Sequence, residues 1–129
     1  MTHRILVVDD NPTNLKLACE VLEMAGYQVD RAVDAIEALS RIGRVHPDLI
    51  LMDVALPGID GLTLARMLKR DEATQRIAIV ALTAFAMKGD DEKAFDAGCD
   101  AYISKPIDAR RLPLQVAEIL GQRNRQEKK

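Results

Sequence analysis

The sequence predicts an α/β domain built on a doubly wound, five-stranded parallel sheet. Three apolar runs, residues 5–8, 49–52 and 77–82, are continuous rather than alternating, as is typical of strands covered on both faces. Two shorter candidate strands, residues 27–32 and 101–104, complete a fivefold alternation of strands and helical patterns. Parallel neighbours need a crossover connection, and the helical patterns between the strands supply it.

The first two helices have recognisable ends. Asn11 can cap the first helix, Pro12 suits its first position, and Gly26 is placed to end it. Asp34 is the expected cap of the second helix, and Glu37 follows three residues later as in a capping box. The apolar positions that share one helical face are Leu15, Ala18, Cys19 and Leu22 in the first helix, and Leu64, Met67 and Leu68 in the third.

The last helical pattern contains Pro113, which removes a helical hydrogen bond if the helix begins directly after Asp108. The first turn is therefore irregular, or the regular helix starts near Leu112. Beyond it the sequence is charged and has no apolar face to bury. We expect one domain over residues 1–122 and a charged, disordered tail over residues 123–129.

Composition excludes several classes of function. The formal net charge of −2 arises from 18 basic and 20 acidic residues, so no global field favours nucleic acid or anionic membrane. No apolar run approaches the roughly 20 residues that span a bilayer, and the N-terminus lacks a signal-peptide core. We expect a soluble, cytoplasmic protein that binds neither DNA nor membrane directly. Cys19 and Cys99 fit buried free thiols, and His3 and His46 are assigned no chemistry.

Polar side chains follow the apolar runs at the points where the strands end. Asp9 and Asp10 follow the first strand, and Asp53 follows the third. Thr83 ends the fourth strand and Lys105 the fifth. Each of these residues alone is usually a solvated, capping or packing side chain. Because parallel strands direct their carboxyl ends to one edge, where ligands of such sheets bind, the five side chains together indicate a site.

The chemistry of this set points to a hard cation. Carboxylates roughly 6 Å apart repel by about 3 kcal/mol per pair at an effective dielectric constant near 20, so a positive charge has to offset them. Oxygen ligands without His or Cys suit Mg²⁺, which can also bridge a phosphoryl group. Lys105 and Thr83 could hold the other phosphoryl oxygens.

These residues resemble the receiver domains of two-component response regulators. The similarity is carried by "VVDDN", "LILMDVALPGIDG", "ALTA" and "KP", and it covers residues 4 to about 120 in order and spacing. The resemblance implies a flavodoxin-like, CheY-like (βα)5 fold with strand order 2-1-3-4-5.

The resemblance also assigns the acidic residues. It implies that Asp53 accepts a phosphoryl group from a phosphohistidine of a histidine kinase or histidine phosphotransferase, forming an aspartyl phosphate. Asp10 matches the direct Mg²⁺ ligand and Asp9 a ligand acting through water. Asp53 and the backbone carbonyl of Ala55 complete the expected metal site.

Four further residues take roles from the resemblance. Lys105 matches the residue that pairs with a phosphoryl oxygen, and Pro106 follows a peptide bond that is cis in the family. Thr83 matches the switch hydroxyl, and Tyr102 the aromatic that moves inward behind it. A half-buried strand aromatic is the plain alternative for Tyr102. The implied output is a protein-binding face formed by helix 4, strand 5 and helix 5.

A narrower similarity, in "TAFAMKGD" and "GCDAYISKPI", is to single-domain regulators of the DivK type and to receivers of hybrid kinases. The apolar residues Ala55 and Phe85 replace polar side chains that position the hydrolytic water in some receivers. They suggest slow autodephosphorylation. We expect a monomer or a weak, phosphorylation-dependent dimer.

Four other interpretations stay open at this point. The chain could be a receiver excised from a hybrid kinase or multidomain regulator, or a receiver used as an unphosphorylated scaffold, against which the intact acid set argues. A Mg²⁺-dependent phosphatase of the haloacid dehalogenase type also uses a strand-end Asp, but usually carries a second Asp where this chain has Ala55. A nucleotide or flavin module is disfavoured, because "DDNPTN" lacks a glycine-rich phosphate cradle.

Overall fold

The architecture is an open parallel sheet with helices on both faces. It is seen in a computed structural model that describes residues 3–83 and 90–127, except for the side chains of 90, 91 and 123–127. The strands of the described residues are β1 (Arg4–Val8), β2 (Gln28–Ala32), β3 (Leu49–Asp53), β4 (Ala78–Thr83) and β5 (Ala101–Ser104). The helices are α1 (Pro12–Met24), α2 (Ala35–Val45), α3 (Gly61–Arg70), α4 (Asp90–Asp96) and α5 (Leu112–Glu127). The sheet order is β2-β1-β3-β4-β5, which confirms the predicted fold class and order.

The register aligns the carboxyl ends of the central strands. Val8 of β1 pairs with Met52 of β3, and Met52 pairs with Ala81 of β4. Thr83, the last residue of β4, pairs with Ser104, the last residue of β5. All four of these strands therefore end at one edge of the sheet, where the polar residues follow.

Two hydrophobic clusters, one on each face of the sheet, explain the continuous apolar runs. In β3, Ile50 and Met52 belong to the cluster under α2, α3 and α4. Leu49 and Leu51, which alternate with them, belong to the cluster under α1 and α5. Since both faces are covered, every residue of β3 is buried, and no position can be polar until the strand ends.

The predicted helix ends are present. The Asn11 side chain accepts from two backbone N–H groups of the first turn of α1, Pro12 is its first residue, and Gly26 takes a φ of 99° just after it. Asp34 caps α2 by accepting from the backbone N–H three residues on, at 2.8 Å. α5 begins at Leu112, the second of the two predicted alternatives. Pro113 therefore lies in the first turn, where its missing N–H removes no helical hydrogen bond.

One expectation about the helices needs correction. Met67 is 43% exposed, whereas Ala65 is buried beside Leu64 and Leu68. At 100° per residue, Met67 lies about 110° from the centre of the buried face, too far round the helix to contact the core. The backbone of residues 123–127 continues α5, and the division of the chain at residue 122 stays a prediction.

Both cysteines are free and buried, as predicted. Burial raises the pKa of the Cys99 thiol to about 11, so that the neutral form dominates at neutral pH. His46 is the C-cap of α2, where it takes a left-handed φ of 49° and its backbone N–H donates to the carbonyl of Ile42. Among the described residues, no helix has the length and apolar character needed to cross a membrane.

Gly61, the first residue of α3, lies against the backbone at the end of β3. A Cβ atom at this position would lie 2.8 Å from the Cα of Val54 and closer still to the carbonyl oxygen of Asp53. The N–H of Gly61 also donates to the carbonyl of Val54 at 3.1 Å. The missing side chain therefore allows α3 to start directly beside the strand end that carries Asp53.

We expect Gly61→Ala to lower the free energy of unfolding by about 1–3 kcal/mol, because the added methyl group has to displace backbone. Gly43→Ala is the matched control, since Gly43 lies inside α2 and nothing is within 4 Å of its Cβ position. That change should raise the free energy of unfolding by about 0.5–1 kcal/mol. Denaturant unfolding followed by circular dichroism measures both. A Gly61→Ala variant as stable as the wild type would contradict the close approach.

Candidate functional site

Two neighbouring strand ends bring three carboxylates together. Because Val8 and Met52 are register partners, the residues that follow them, Asp9 and Asp53, lie side by side at the carboxyl edge of the sheet. Asp10 comes next along the chain. One oxygen from each of Asp9, Asp10 and Asp53 lies within 4.8 Å of the other two. The structure thus places at one edge the three acids that the sequence predicts there.

Asp53 is held at both carboxylate oxygens. Its Oδ1 accepts from the backbone N–H of Ala55 at 2.8 Å, and its Oδ2 accepts from the Lys105 ammonium at 2.8 Å. The residue is 5% exposed. The two donors hold the carboxylate in one orientation.

Asp9 is buried more deeply and is only partly satisfied. Its Oδ1 accepts from the backbone N–H of Asn11 at 2.9 Å, and the residue is 1% exposed. Its Oδ2 is buried without a hydrogen-bond partner. Lys105 Nζ lies 3.2 Å from this oxygen, in an orientation that makes an ion pair but not a hydrogen bond. One buried oxygen at this edge can therefore accept a further ligand.

Lys105 reaches Asp53 from two strands away and Asp9 from three strands away. It follows Ser104, the last residue of β5, and its side chain crosses the end of β4 to contact the acids at the ends of β3 and β1. Its backbone N–H donates to the carbonyl of Thr83 at 2.7 Å, which fixes where the side chain starts. The peptide bond between Lys105 and Pro106 is cis, as the resemblance implies.

The pKa values of Asp9 and Lys105 are both raised, which favours the charged form of Lys105 and the neutral form of Asp9. Burial raises the pKa of the Asp9 carboxyl, and the neighbouring Asp53 charge adds to this, against the Asn11 N–H and Lys105. Burial alone would lower the pKa of Lys105, but the hydrogen bond and charge of Asp53, followed by the charge of Asp9, outweigh it and raise that pKa. Lys105 is therefore held charged, while Asp9 remains under an unfavourable burial cost.

The remaining predicted residues flank this cluster. Thr83 ends β4 and is 5% exposed. Tyr102 is half-buried in β5 and packs against the cluster under α2, α3 and α4. Ala55 is exposed, and its N–H is used to hold Asp53. Phe85 lies outside the described residues.

The donor set fits a hard divalent cation. Three carboxylate oxygens converge without His or Cys, and Asp9 has an oxygen, Oδ2, that is buried without a hydrogen bond. Mg²⁺ takes oxygen ligands of this kind and keeps some of its coordination waters, which the exposed side of Asp10 allows. The residues present are therefore compatible with the predicted metal.

The fold and this acid-lysine site define a receiver domain. The chain matches the response regulator receiver domain family over residues 5–117 and belongs to it. It is 45% identical over 121 residues to the polar-differentiation response regulator DivK of Brucella ovis, covering 94% of this chain and 98% of that protein. A receiver domain is not a classical enzyme, and family membership implies interaction with a histidine kinase or phosphotransferase.

Solved structures agree with this assignment. A CheY-like receiver domain protein from Methanospirillum hungatei superimposes with a TM-score of 0.89 at 30% identity, covering 98% of this chain and 99% of that one. The signal receiver domain of a histidine kinase from Syntrophus aciditrophicus gives 0.85 at 31% identity, covering 94% and 92%. Chemotaxis regulator CheY4 of Vibrio cholerae, at 23% identity and a TM-score of 0.87, shares the fold.

Sequence reasoning missed two contributors to the site. The backbone N–H of Ala55 holds Asp53, and no side-chain motif marks a backbone donor. Gly61 makes room for the end of β3, and its signal was the Asp-Gly pair at a helix start, where glycine is otherwise a poor choice. The contact of Lys105 with a phosphoryl oxygen stays a prediction, and its ion pair with Asp9 was not predicted.

We expect Asp9→Asn to raise the free energy of unfolding of the metal-free protein at pH 7 by on the order of 1 kcal/mol. The change removes a buried charge, while Lys105 keeps its partner Asp53. Glu72→Gln, which neutralises an exposed acid, is the control and should stay within about 0.5 kcal/mol of the wild type. Chemical denaturation in a chelator measures both. A destabilised Asp9→Asn protein would show that the ion pair outweighs the burial cost.

Proposed function

We propose that this receiver accepts a phosphoryl group on Asp53 from a phosphohistidine and so controls a protein-binding face. The observation that carries the proposal is the state of the Asp53 carboxylate. It is buried at a strand end, held at 2.8 Å by both the Ala55 N–H and the Lys105 ammonium, and set beside Asp9 and Asp10. A carboxylate fixed in this way loses little rotational freedom on attack.

In the proposed step an Asp53 oxygen attacks the phosphorus atom of the donor. An O–P bond forms, the P–N bond breaks, and its electron pair returns to the histidine ring. The ring leaves as neutral imidazole, with a proton on its other nitrogen. Lys105, already charged and beside Asp53, is placed to pair with a phosphoryl oxygen as that group arrives. The chain thereby promotes its own phosphorylation without turning over a substrate.

Mg²⁺ is the proposed cofactor. Asp10 would hold it directly, Asp9 through water, and Asp53 and the carbonyl of Ala55 would complete the protein ligands. When bound, the ion neutralises charge on the transferring phosphoryl group. The convergent oxygens and the unbonded Asp9 Oδ2 support this assignment.

The response to phosphorylation is proposed to pass through β4 and β5. The new group carries about −2 charge at neutral pH. The Thr83 hydroxyl would turn toward it, and Tyr102 would move inward behind Thr83. Both residues border the face made by α4, β5 and α5, which we propose as the surface for the downstream protein or for a weak phosphorylated dimer. We place this exchange in the cytoplasm.

We expect acetyl phosphate with Mg²⁺ to add one phosphoryl group to the wild-type chain and none to Asp53→Asn, as measured by intact mass. Asp60→Asn is the matched control. It changes an exposed acid that caps α3, where Asn also caps, and it should be labelled like the wild type. An unlabelled wild type, or equal labelling of wild type and Asp53→Asn, would overturn the proposed function.

The phosphorylated chain should lose its label slowly, with a half-life of minutes or longer. Ala55 is exposed beside Asp53 and offers no polar side chain to orient a hydrolytic water, and Phe85 offers none by sequence. Ala55→Asn should shorten the half-life, measured by following intact mass after acetyl phosphate is removed. A wild-type half-life of seconds in Mg²⁺ buffer would contradict this expectation.

A further inference from the structure

A groove lies between the N-terminus of α2 and the loop that follows β3, the strand that ends at Asp53. Its volume is about 230 Å³, below the roughly 300–1,000 Å³ of pockets that enclose small ligands. It is lined by Asp34, Ala35, Ile36, Pro57, Gly58 and Ile59. Such a groove suits one protruding side chain better than a cofactor.

The groove is apolar and exposed. Ile36 is 73% exposed and Val33, next to Asp34 in the chain, is 45% exposed. Aliphatic residues of this size gain free energy when they are covered. Neither residue contributes to the site around Asp53, so the phosphoryl chemistry does not account for them.

The charge around the groove has one sign. Residues 32–39 and 54–62, the two segments that form it, contain Asp34, Glu37 and Asp60 and no Lys, Arg or His. Arg31, the basic residue just before the first segment, lies 3.9 Å from Glu23 of α1, on the other face of the sheet. An apolar groove with an acidic border fits an apolar side chain flanked by Lys or Arg.

The position of the groove favours one class of partner. The loop that supplies Pro57 and Ile59 also contains Ala55, whose N–H holds Asp53. In the sheet order β2-β1-β3-β4-β5, the loops after β2 and β3 lie on one side of Asp53, and the face of α4, β5 and α5 lies on the other. A protein seated in the groove therefore lies on the side of the acceptor away from the proposed output face and leaves that face free.

We propose that the groove docks the protein that donates the phosphoryl group, and that it takes an apolar side chain flanked by Lys or Arg from that donor. This inference rests on the proposed function of Asp53. The groove determines which histidine donor is accepted, and small donors do not use it.

The test compares a protein donor with a small donor. Histidine kinase and phosphotransferase domains from the source organism are purified and phosphorylated, and the one that labels the wild-type chain fastest is the probe. Ile36→Ser should lower the initial transfer rate from this probe about tenfold, as loss of a central apolar contact does. Labelling by acetyl phosphate should stay within about twofold, since it needs no docking.

Two further variants sharpen the comparison. Glu37→Lys reverses one border charge, and it should slow transfer from the protein probe most at low salt and leave acetyl phosphate labelling unchanged. Met24→Ser is the matched control, because Met24 is an 89% exposed apolar residue at the far end of α1. It should transfer like the wild type. Circular dichroism checks that all variants are folded.

Several outcomes overturn the inference. Unchanged transfer to Ile36→Ser and Glu37→Lys would exclude the groove as a donor surface, as would an equal fall with acetyl phosphate or with Met24→Ser. Labelling by acetyl phosphate but by none of the protein donors would overturn the docking inference and leave Asp53 as an acceptor. No labelling by either donor would instead overturn the proposed function.

Discussion

The site depends on one electrostatic constraint, the crowding of Asp9, Asp10 and Asp53 at adjacent strand ends. Their oxygens lie within 4.8 Å of one another, and two of the residues are almost fully buried. Repulsion at this distance in a low dielectric has to be offset by a cation. Lys105 supplies a positive charge at 2.8 Å from Asp53 and 3.2 Å from Asp9. Lys105 follows β5, and its side chain crosses the end of β4 to reach the acids.

The position of the three acids depends on the packing of the sheet beneath them. A site that holds buried charge lowers the stability of the fold locally, and packing in the surrounding structure has to offset that loss. Here one face of β1, β3 and β4 is covered by aliphatic side chains from α2, α3 and α4, and the other by those from α1 and α5. A rigid sheet keeps the strand ends in register, so that the acids cannot relax apart. The geometry of the site is therefore a property of the sheet rather than of its loops.

The sequence predicted the sheet because burial on both faces forces an unbroken apolar run, and the runs at β3 and β4 have no polar position within them. It predicted the acidic edge because parallel strands end together. The close approach of Gly61 to the end of β3 could not be predicted from the sequence, since it depends on where α3 starts relative to β3. The exposure of Met67 was also missed, because a short helix allows more than one choice of buried face.

Lys105 links the acceptor to the far side of the sheet. Its ammonium group donates a hydrogen bond to Asp53, and its backbone N–H donates one to the carbonyl of Thr83. A displacement of Lys105 therefore affects the last residues of both β4 and β5. On the proposed function, a phosphoryl group on Asp53 rearranges the Lys105 contact first. That rearrangement would then reach β4 and β5 through Lys105. Among the described contacts, the loop after β2 makes no hydrogen bond or ion pair with Lys105. Donor docking beside β2 and output beside β5 can therefore operate on one acceptor without competing for the same surface.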